Sequence, residues 1–441
     1  MNTDTKVKIL EQAQAARASA NWLLLIQCLQ QLVQEEKLAS RGRKIPLLEF
    51  ELEQVIDLAI EVLVVGDFNQ RWDIAKVFPK LGKSAITPLI EILSDEDADE
   101  ELRWYAARIL REFNYPEAIA ALVELLKTSE SEELKAIAAT ALGEIGATAV
   151  AALTQLLTQE STRELAVRSL SQIRCKETIA PLLSVVQDSQ VEIRVAAIEA
   201  LGSFHDPRIP PVLLKALDDL AAPVRREAVI GLGFRSDLQA QLDLVNCLLP
   251  RLYDFNLDVC IAAAIALGRL GTDAAATGLF RVLQSPHTPL PLQTEIVRSL
   301  GRIGTQTSLE YLHSSLHQQA LMPVWQEIVT VLGRVEQPDL SAKAAEILLA
   351  LVRYSDFGMQ QTSLKQALAL SLSQLGEMQA MEGLIQLLAD PEMAVRLHAI
   401  AALKQLAPEA AYRQLQQMAS SATLTPQLRQ GVAIALQEWS E

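Results

Sequence analysis

A single sequence unit recurs through most of the chain, and it is clearest between Asp188 and Gly202. The unit begins with an Asp, carries an Arg six residues later, and continues as a run of small and apolar residues that ends in Leu-Gly. The same order returns from Asp219 to Gly233. One unit of this kind cannot bury its apolar stripe alone, so neighbouring units have to stack on one another. The pattern therefore predicts an all-α superhelix, a solenoid of helical hairpins.

The Leu-Gly ends set the length of the unit. Between residues 202 and 333 the glycines follow at steps of 31, 35, 33 and 32 residues, which fits two helices of about three to four turns and their connections. The pattern predicts about eleven or twelve hairpins, with an irregular first unit at 47–82 and an insertion near 355–359. Because helices often close on a left-handed glycine, we expect this conformation at the glycines that end the units, which are Gly143, Gly202, Gly233, Gly268, Gly301, Gly333 and Gly376.

Composition limits the class of partner and the compartment. The chain of 441 residues has 54 acidic and 39 basic side chains, and its formal charge of -15 repels nucleic acids and anionic membranes. The N-terminus resembles no signal sequence, no stretch reaches the length of a membrane span, and the four cysteines form no C-x-x-C pair. We expect a cytoplasmic monomer with a protein partner, no nucleic acid and no membrane insertion. Residues 1–45 lack the repeat and are predicted to form an N-terminal helical cap on a solenoid spanning residues 46–441.

Three arginines follow the Leu-Gly ends of consecutive units. Arg269, Arg302 and Arg334 each come directly after the glycine, so stacking places them in a row along one edge. In one interpretation they complement the C-terminal ends of their helices. In the other they form a basic strip that docks an acidic partner. These three units and the next one have lost the Arg of the repeat. By alignment on the terminal Leu, its place holds Cys260, Gln293, Trp325 and Leu368.

An aromatic pair marks a second candidate surface near the start of the repeats. Trp104 and Tyr105 follow the Arg of their unit, and Arg108 lies one helical turn beyond Trp104. These positions border the inner groove of the predicted solenoid, and an aromatic ring beside an Arg is typical of an interface anchor. An oversized part of the core is the alternative interpretation. Trp72 extends the patch in either case.

The remaining constellations give no catalytic or metal residues. His313 and His317 are four residues apart on a helix and share a face, but no carboxylate or thiol cluster accompanies them, so we expect surface histidines. Cys247 and Cys260 are predicted to be a pair of buried thiols on the two helices of one unit, with a cluster or thioether site as the alternative. The sequence contains no phosphate-binding loop, nucleophile elbow or zinc-protease motif.

The Asp…Arg…Leu-Gly series resembles HEAT repeats, specifically the short HEAT-like repeats of the phycobilin (phycocyanobilin) lyase type. The resemblance covers roughly residues 85–336 and 377–439. It implies a structural ladder between neighbouring units, since an acid in the turn and an Arg in the following helical turn can bridge adjacent turns bidentately. The members of this ladder would be Asp97, Arg103, Asp188, Arg194, Asp219, Arg225, Asp390 and Arg396.

These patterns predict a non-catalytic protein-binding scaffold or adaptor that holds its partner in the concave groove lined by the second helices. The resemblance adds two alternatives. One is a phycobilin lyase-like enzyme or chaperone that acts on tetrapyrrole-bearing antenna proteins. The other is an adaptor in iron–sulfur cluster assembly, like the HEAT-repeat protein that interacts with an A-type iron–sulfur carrier. We expect no cofactor on the chain itself, and a linear tetrapyrrole or an iron–sulfur cluster only through such a partner.

Overall fold

The computed structural model describes residues 3–38, 49–317, 321–353, 361–421 and 424–440. In these ranges the chain is helical and contains no β-strand, which confirms the all-α prediction. The expected insertion near 355–359 lies outside the described residues, and so does the predicted boundary between the cap and the solenoid at residues 45 and 46. The chain divides into two compact units, Met1–His205 and Asp206–Glu441.

The first unit consists of a pair of helices at its N-terminal end followed by five helical hairpins in the described residues. Its helices are α1 Thr3–Ala18, α2 Trp22–Leu38, α3 Glu49–Val65, α4 Phe68–Ala75, α5 Phe78–Leu81, α6 Ile86–Ser94, α7 Glu100–Leu110, α8 Pro116–Thr128, α9 Glu132–Ile145, α10 Val150–Leu156, α11 Glu160–Gln172, α12 Ile179–Ser184 and α13 Val191–Gly202.

The second unit consists of seven helical hairpins in the part of it that the structure describes. Its helices are α14 Ile209–Ala216, α15 Ala222–Gly233, α16 Gln239–Leu242, α17 Leu244–Leu248, α18 Leu257–Leu270, α19 Asp273–Leu283, α20 Leu290–Ile303, α21 Gln306–Leu316, α22 Met322–Leu332, α23 Pro338–Arg353, α24 Thr362–Leu375, α25 Ala380–Leu387, α26 Met393–Leu406, α27 Pro408–Ala419 and α28 Pro426–Ser440.

In each unit the hairpins stack in two layers. First helices pack on first helices, as α6, α8 and α10 do in the first unit and α19, α21, α23 and α25 do in the second. The second helices form what we call the second-helix layer, which is α7, α9, α11 and α13 in the first unit and α15, α18, α20, α22, α24 and α26 in the second. The apolar stripe of each hairpin is therefore buried against its neighbours, as expected for a HEAT-like solenoid.

The Leu-Gly glycines have a different role from the one predicted. Gly268 lies inside α18, which closes three residues later at Gly271 with a φ of 69°. Gly333 has a φ of -66° and is not left-handed either. A Cβ atom on Gly333 would lie 2.5 Å from the Cβ of Ser371 in the next second helix. The prediction of left-handed closing residues is therefore wrong for these glycines, which instead allow neighbouring helices to approach closely. Gly376 does close its helix, with a φ of 72°.

The length and composition of the helices can be compared with those of a membrane-spanning helix. Among the described residues no single helix is long and apolar enough to span a bilayer. The consecutive helices Glu132–Ile145 and Ala147–Leu156 together have the required length and composition, but they bend by 116° at the break between them.

Candidate partner-binding surface

A recurring contact between the turns of neighbouring hairpins sets their spacing. Arg225 donates Nη1–H to the carbonyl oxygens of Asp219 and Leu220 at 2.9 and 3.0 Å. Its Nε and Nη2 donate to the two carboxylate oxygens of Asp254 in the next hairpin at 2.7 and 2.6 Å. This guanidinium holds the pKa of the Asp254 carboxyl below its usual range. Arg225 thus binds its own turn through carbonyl groups and the following turn through a carboxylate.

The same arrangement occurs at two other turns. Arg163 donates to the Asp188 carboxylate at 2.9 Å, while Arg194 donates to the Asp188 carbonyl oxygen at 2.8 Å. The predicted Asp188–Arg194 pair therefore meets through the Asp188 carbonyl, and the Asp188 carboxylate goes to a cation of the preceding hairpin. The third turn with this arrangement contains Lys365, Asp390 and Arg396.

The contact of Lys365 with Asp390 shows that the ladder position of this unit is residue 365 and not residue 368. The sequence alignment on the terminal Leu gave Leu368 as the ladder position of this unit, because Gly376 was treated as equivalent to the packing glycines. The interruption is also only partial. Cys260 donates to the Asp254 carbonyl at 3.1 Å and Gln293 to the Thr288 carbonyl at 2.9 Å. Each therefore replaces the contact that the arginine makes with the carbonyl groups of its own turn.

The acidic turn after α6 departs from the predicted pairing. Asp97 is exposed, and its backbone N–H donates to the Asp95 carboxylate at 3.1 Å. Asp95 therefore has the position that Asp188 has in its turn, and Arg103 donates to a carbonyl oxygen of α6 at 3.1 Å. The turn is longer than in the other units because of the acidic run. The buried Arg71 on α4, which the sequence did not indicate, pairs with this turn through the carboxylates of Asp99 and Glu101.

The arginine row lies at equivalent positions of neighbouring second helices in the second unit. The guanidinium carbon of Arg269 lies 4.1 Å from the ring centre of Phe234, which has the equivalent position one hairpin earlier. Arg302 lies 3.8 Å from a carboxylate oxygen of Glu295. Arg334 is exposed and has no ion pair among the described residues. The three side chains therefore have three different environments, and both interpretations of the row stay predictions.

The centre of the same layer contains a paired charge network. Arg298 donates to both carboxylate oxygens of Glu327 on the next helix at 2.9 and 3.1 Å, and this bidentate contact raises its pKa. Glu295, with 12% of its side chain exposed, lies beside Arg298 and Arg302 at 3.7 and 3.8 Å. The charges in the middle of this layer are thus largely matched within the protein.

An aromatic cluster lies at the start of the first unit, where α4 packs against α7 of the second-helix layer. It consists of Phe68 and Trp72 on α4 and of Trp104 and Tyr105 on α7. A capping box at Asp67, which accepts a hydrogen bond from the N–H of residue 70, fixes the start of α4. The ring centres of Phe68 and Trp72 are 6.2 Å apart, and those of Trp104 and Tyr105 are 5.3 Å apart.

Tyr105 belongs to the base of this cluster. It is fully buried, its hydroxyl donates to the Phe68 carbonyl oxygen at 3.2 Å, and burial raises its pKa. It cannot contact a docked partner while this packing is kept, so its predicted role as a binding residue changes to a supporting one. Phe68 and Trp72 carry the accessible area, with 60% and 37% of their surfaces exposed. Phe68 was missed because it lies in the irregular first unit, at a position that no feature of the repeat singles out.

Arg108 completes the cluster. Its guanidinium carbon lies 3.8 Å from the ring centre of Trp72 and 5.4 Å from that of Trp104. In the part of the chain that the structure describes, Arg108 forms no hydrogen bond and no ion pair. Burial, followed by the nearby charge of Arg111, lowers its pKa. A cavity of about 280 Å³ beside these side chains is lined in part by Pro79.

The histidine pair forms a contact within itself. The Nε2 atoms of His313 and His317 are 3.1 Å apart, and their ring planes are inclined at 68°. Burial, with smaller contributions from His317 and Lys343, lowers the pKa of His313. Across the described ranges no group of three or more potential ligands is placed to hold a metal ion.

Cys247 and Cys260 are free thiols, and Cys260 is buried as predicted while Cys247 is only half-buried. Cys247 donates to the carbonyl oxygen of Leu242 at 3.5 Å, and Cys260 donates to the carbonyl oxygen of Asp254 in the turn that precedes its helix. Burial raises the pKa of both thiols, which disfavours the reactive thiolate at neutral pH.

Comparison with known proteins identifies the repeats. A family model described as HEAT repeats matches residues 86–165, 150–233 and 210–291. No curated protein sequence matches the chain significantly. Among solved structures, Kap95p, the yeast importin-β, in a complex with RanGDP covers 100% of this chain with 16% identity and a TM-score of 0.52. Kap95p in a complex with Nup1 has 15% identity, the same coverage and a TM-score of 0.54. The chain spans 66% and 68% of those two Kap95p chains.

A phycocyanin lyase is also among the similar structures. The complex of CpcE and CpcF from Nostoc sp. PCC7120 has 19% identity and covers 59% of this chain and 94% of its own, with a TM-score of 0.31. A likeness of that size does not establish the lyase subtype that the sequence suggested. What the comparisons and the helix packing establish together is that residues 86–291 carry HEAT repeats and that the chain has the fold of a HEAT-repeat solenoid.

Proposed function

We propose that this chain is a non-catalytic protein-binding scaffold that holds its partner on the second-helix layer of the first unit, at the aromatic cluster. The observation that carries the proposal is the exposure of Phe68 and Trp72 beside the stacked guanidinium of Arg108. Large exposed rings next to an Arg are the composition of interface hot spots. Contiguous apolar surface with a polar rim marks interaction sites in soluble proteins.

The cluster is also prepared for binding before a partner arrives. Tyr105 is fixed by its hydrogen bond to the Phe68 carbonyl, and Trp104 packs edge-on against it. Arg108 is held on the Trp72 ring, so little of its side-chain freedom is left to be lost on association. Two of the similar solved structures are complexes with other proteins, RanGDP and Nup1, which supports a binding role for this architecture.

Peptide selection tests the proposal and does not require the natural partner. Short peptides are selected from a display library on the full chain, and their affinity is measured by fluorescence anisotropy. Removal of a central aromatic anchor is expected to cost at least about 2 kcal/mol, or roughly a thirtyfold loss of affinity. We expect this loss for Trp72→Ala and for Trp104→Ala, with melting curves recorded to show that both variants remain folded.

Phe255→Ala is the matched control. Phe255 is a fully exposed ring in the second unit, so this variant removes exposed aromatic surface elsewhere. Its affinity for the selected peptides should equal that of the wild type. Equal losses in all three variants, or no loss in the two tryptophan variants, would refute the proposed docking surface.

A further inference from the structure

We infer that Arg108 receives a carboxylate from the partner, an Asp or Glu side chain next to an apolar residue that packs on Trp72. This inference rests on the proposed function and adds the chemistry of the bound segment. The aromatic rings supply contact area, while the guanidinium selects which segment can use it.

The geometry leaves the donors of Arg108 available. The guanidinium carbon lies 3.8 Å above the Trp72 ring centre. At this distance the face of the guanidinium group packs on the ring. The N–H donors lie in the plane of the group and have no acceptor among the described residues. A fixed planar fork with free N–H groups fits the two oxygens of a carboxylate.

The charge of Arg108 also has no carboxylate partner among the described residues, whereas several nearby cations have one. Three nearby cations have carboxylate partners within 3.4 Å, and these pairs are Arg71 with Glu101 and Asp99, Lys76 with Asp73, and Arg111 with Glu144 and Glu112. Arg108 is the cation of this cluster that stacks on rings instead. An incoming carboxylate would therefore meet a cation that needs no displacement of an internal partner.

A single carboxylate fits better than a multiply charged ligand. The chain carries a formal charge of -15, and this field opposes nucleic acids and other dense anions. One acidic side chain gains the contact with Arg108 at a small long-range cost. Its apolar neighbour gains the exposed area of Trp72 and Phe68 and the cavity beside Pro79.

Matched peptides test this inference on the full chain. The selected peptides are expected to contain an Asp or Glu beside an apolar residue. Each is then made in three forms, with Glu, Gln or phosphoserine at the acidic position. The wild type should prefer Glu over Gln by about tenfold or more, because a charge-assisted bidentate contact is lost. Arg108→Gln should remove the preference, and Arg108→Lys should retain only part of it.

Arg269→Gln is the matched control, since Arg269 also lies over an exposed ring, Phe234, but in the second unit, and its loss should leave the preference unchanged. Selected peptides without an acidic residue, or a Glu preference that survives in Arg108→Gln, would overturn the inference. Tighter binding of the phosphoserine form would also overturn it in favour of a phosphopeptide. If Trp72→Ala and Trp104→Ala weaken binding while Arg108→Gln does not, the docking surface stands and only the carboxylate fails.

Discussion

The ladder between turns gives the sharpest prediction for stability, and Asp254→Ala is its test. The Asp254 carboxylate accepts two hydrogen bonds from Arg225 and one from the backbone N–H of Asn256 at 2.9 Å. Only 6% of the Asp254 side chain and 13% of the Arg225 side chain are exposed. Removal of the carboxylate would leave the guanidinium largely buried, with its carbonyl contacts but without its hydrogen-bonded carboxylate.

The magnitude follows from this burial. Removing one partner of a buried ion pair costs about 3–5 kcal/mol, because the remaining charge is uncompensated. We expect a loss of this size for the local opening of α15 and α18, measured as faster amide hydrogen exchange in both helices. Glu409→Ala is the control, since its pair with Arg413 is exposed, and exchange should stay at the wild-type rate.

A double variant distinguishes the ion pair from general damage. Arg225→Met combined with Asp254→Ala removes both charges, so it should be more stable than Asp254→Ala alone. Because Arg225 depresses the pKa of Asp254, its stabilisation is present above the unfolded pKa of about 3.9 and is lost as the pH falls through the folded value. The difference between wild type and Asp254→Ala should therefore shrink below about pH 4. A loss below about 1 kcal/mol, or additive losses in the double variant, would refute this account.

Two further predictions concern packing and titration. Gly333→Ala should cost about 1–3 kcal/mol by overpacking, because the new Cβ would meet that of Ser371 at 2.5 Å, and Ser371→Gly should restore part of the loss in denaturant titrations. Burial and the nearby His317 and Lys343 lower the pKa of His313, so protonation opposes folding and stability should fall as the pH drops below about 6.5. His313→Gln should flatten this part of the pH–stability curve, and an unchanged curve would contradict the assignment.

Much of the fold could be predicted because the period of the repeat can be read directly from the sequence. An Asp, an Arg and a small-residue helix recur at steps close to one hairpin, so the helix pairs and their stacking follow from sequence. The role of the glycines did not follow. Gly268 and Gly271 both lie near the end of α18, and only the packing of the next helix shows that the first allows close approach and the second closes the helix.

The candidate surface was only partly predictable for the same reason. Trp104 and Arg108 could be grouped because they lie one helical turn apart, and Trp72 could be added as an extension of the same patch. Whether an aromatic residue is exposed depends on contacts with other helices, so the burial of Tyr105 and the exposure of Phe68 did not follow from the sequence. The ladder position of Lys365 was missed because its unit ends in a closing glycine.

Fluorine NMR of the chain labelled with fluorotryptophan tests the docking surface most directly. The five tryptophans give separate signals that single substitutions can assign. Trp439 is an internal reference, since it is also partly exposed and lies under a cation, with the Lys404 Nζ 5.5 Å from its ring centre. On titration with a selected peptide, we predict shifts of the Trp72 and Trp104 signals and an unchanged Trp439 signal. Shifts of Trp439 with Trp72 and Trp104 unmoved would contradict the central claim.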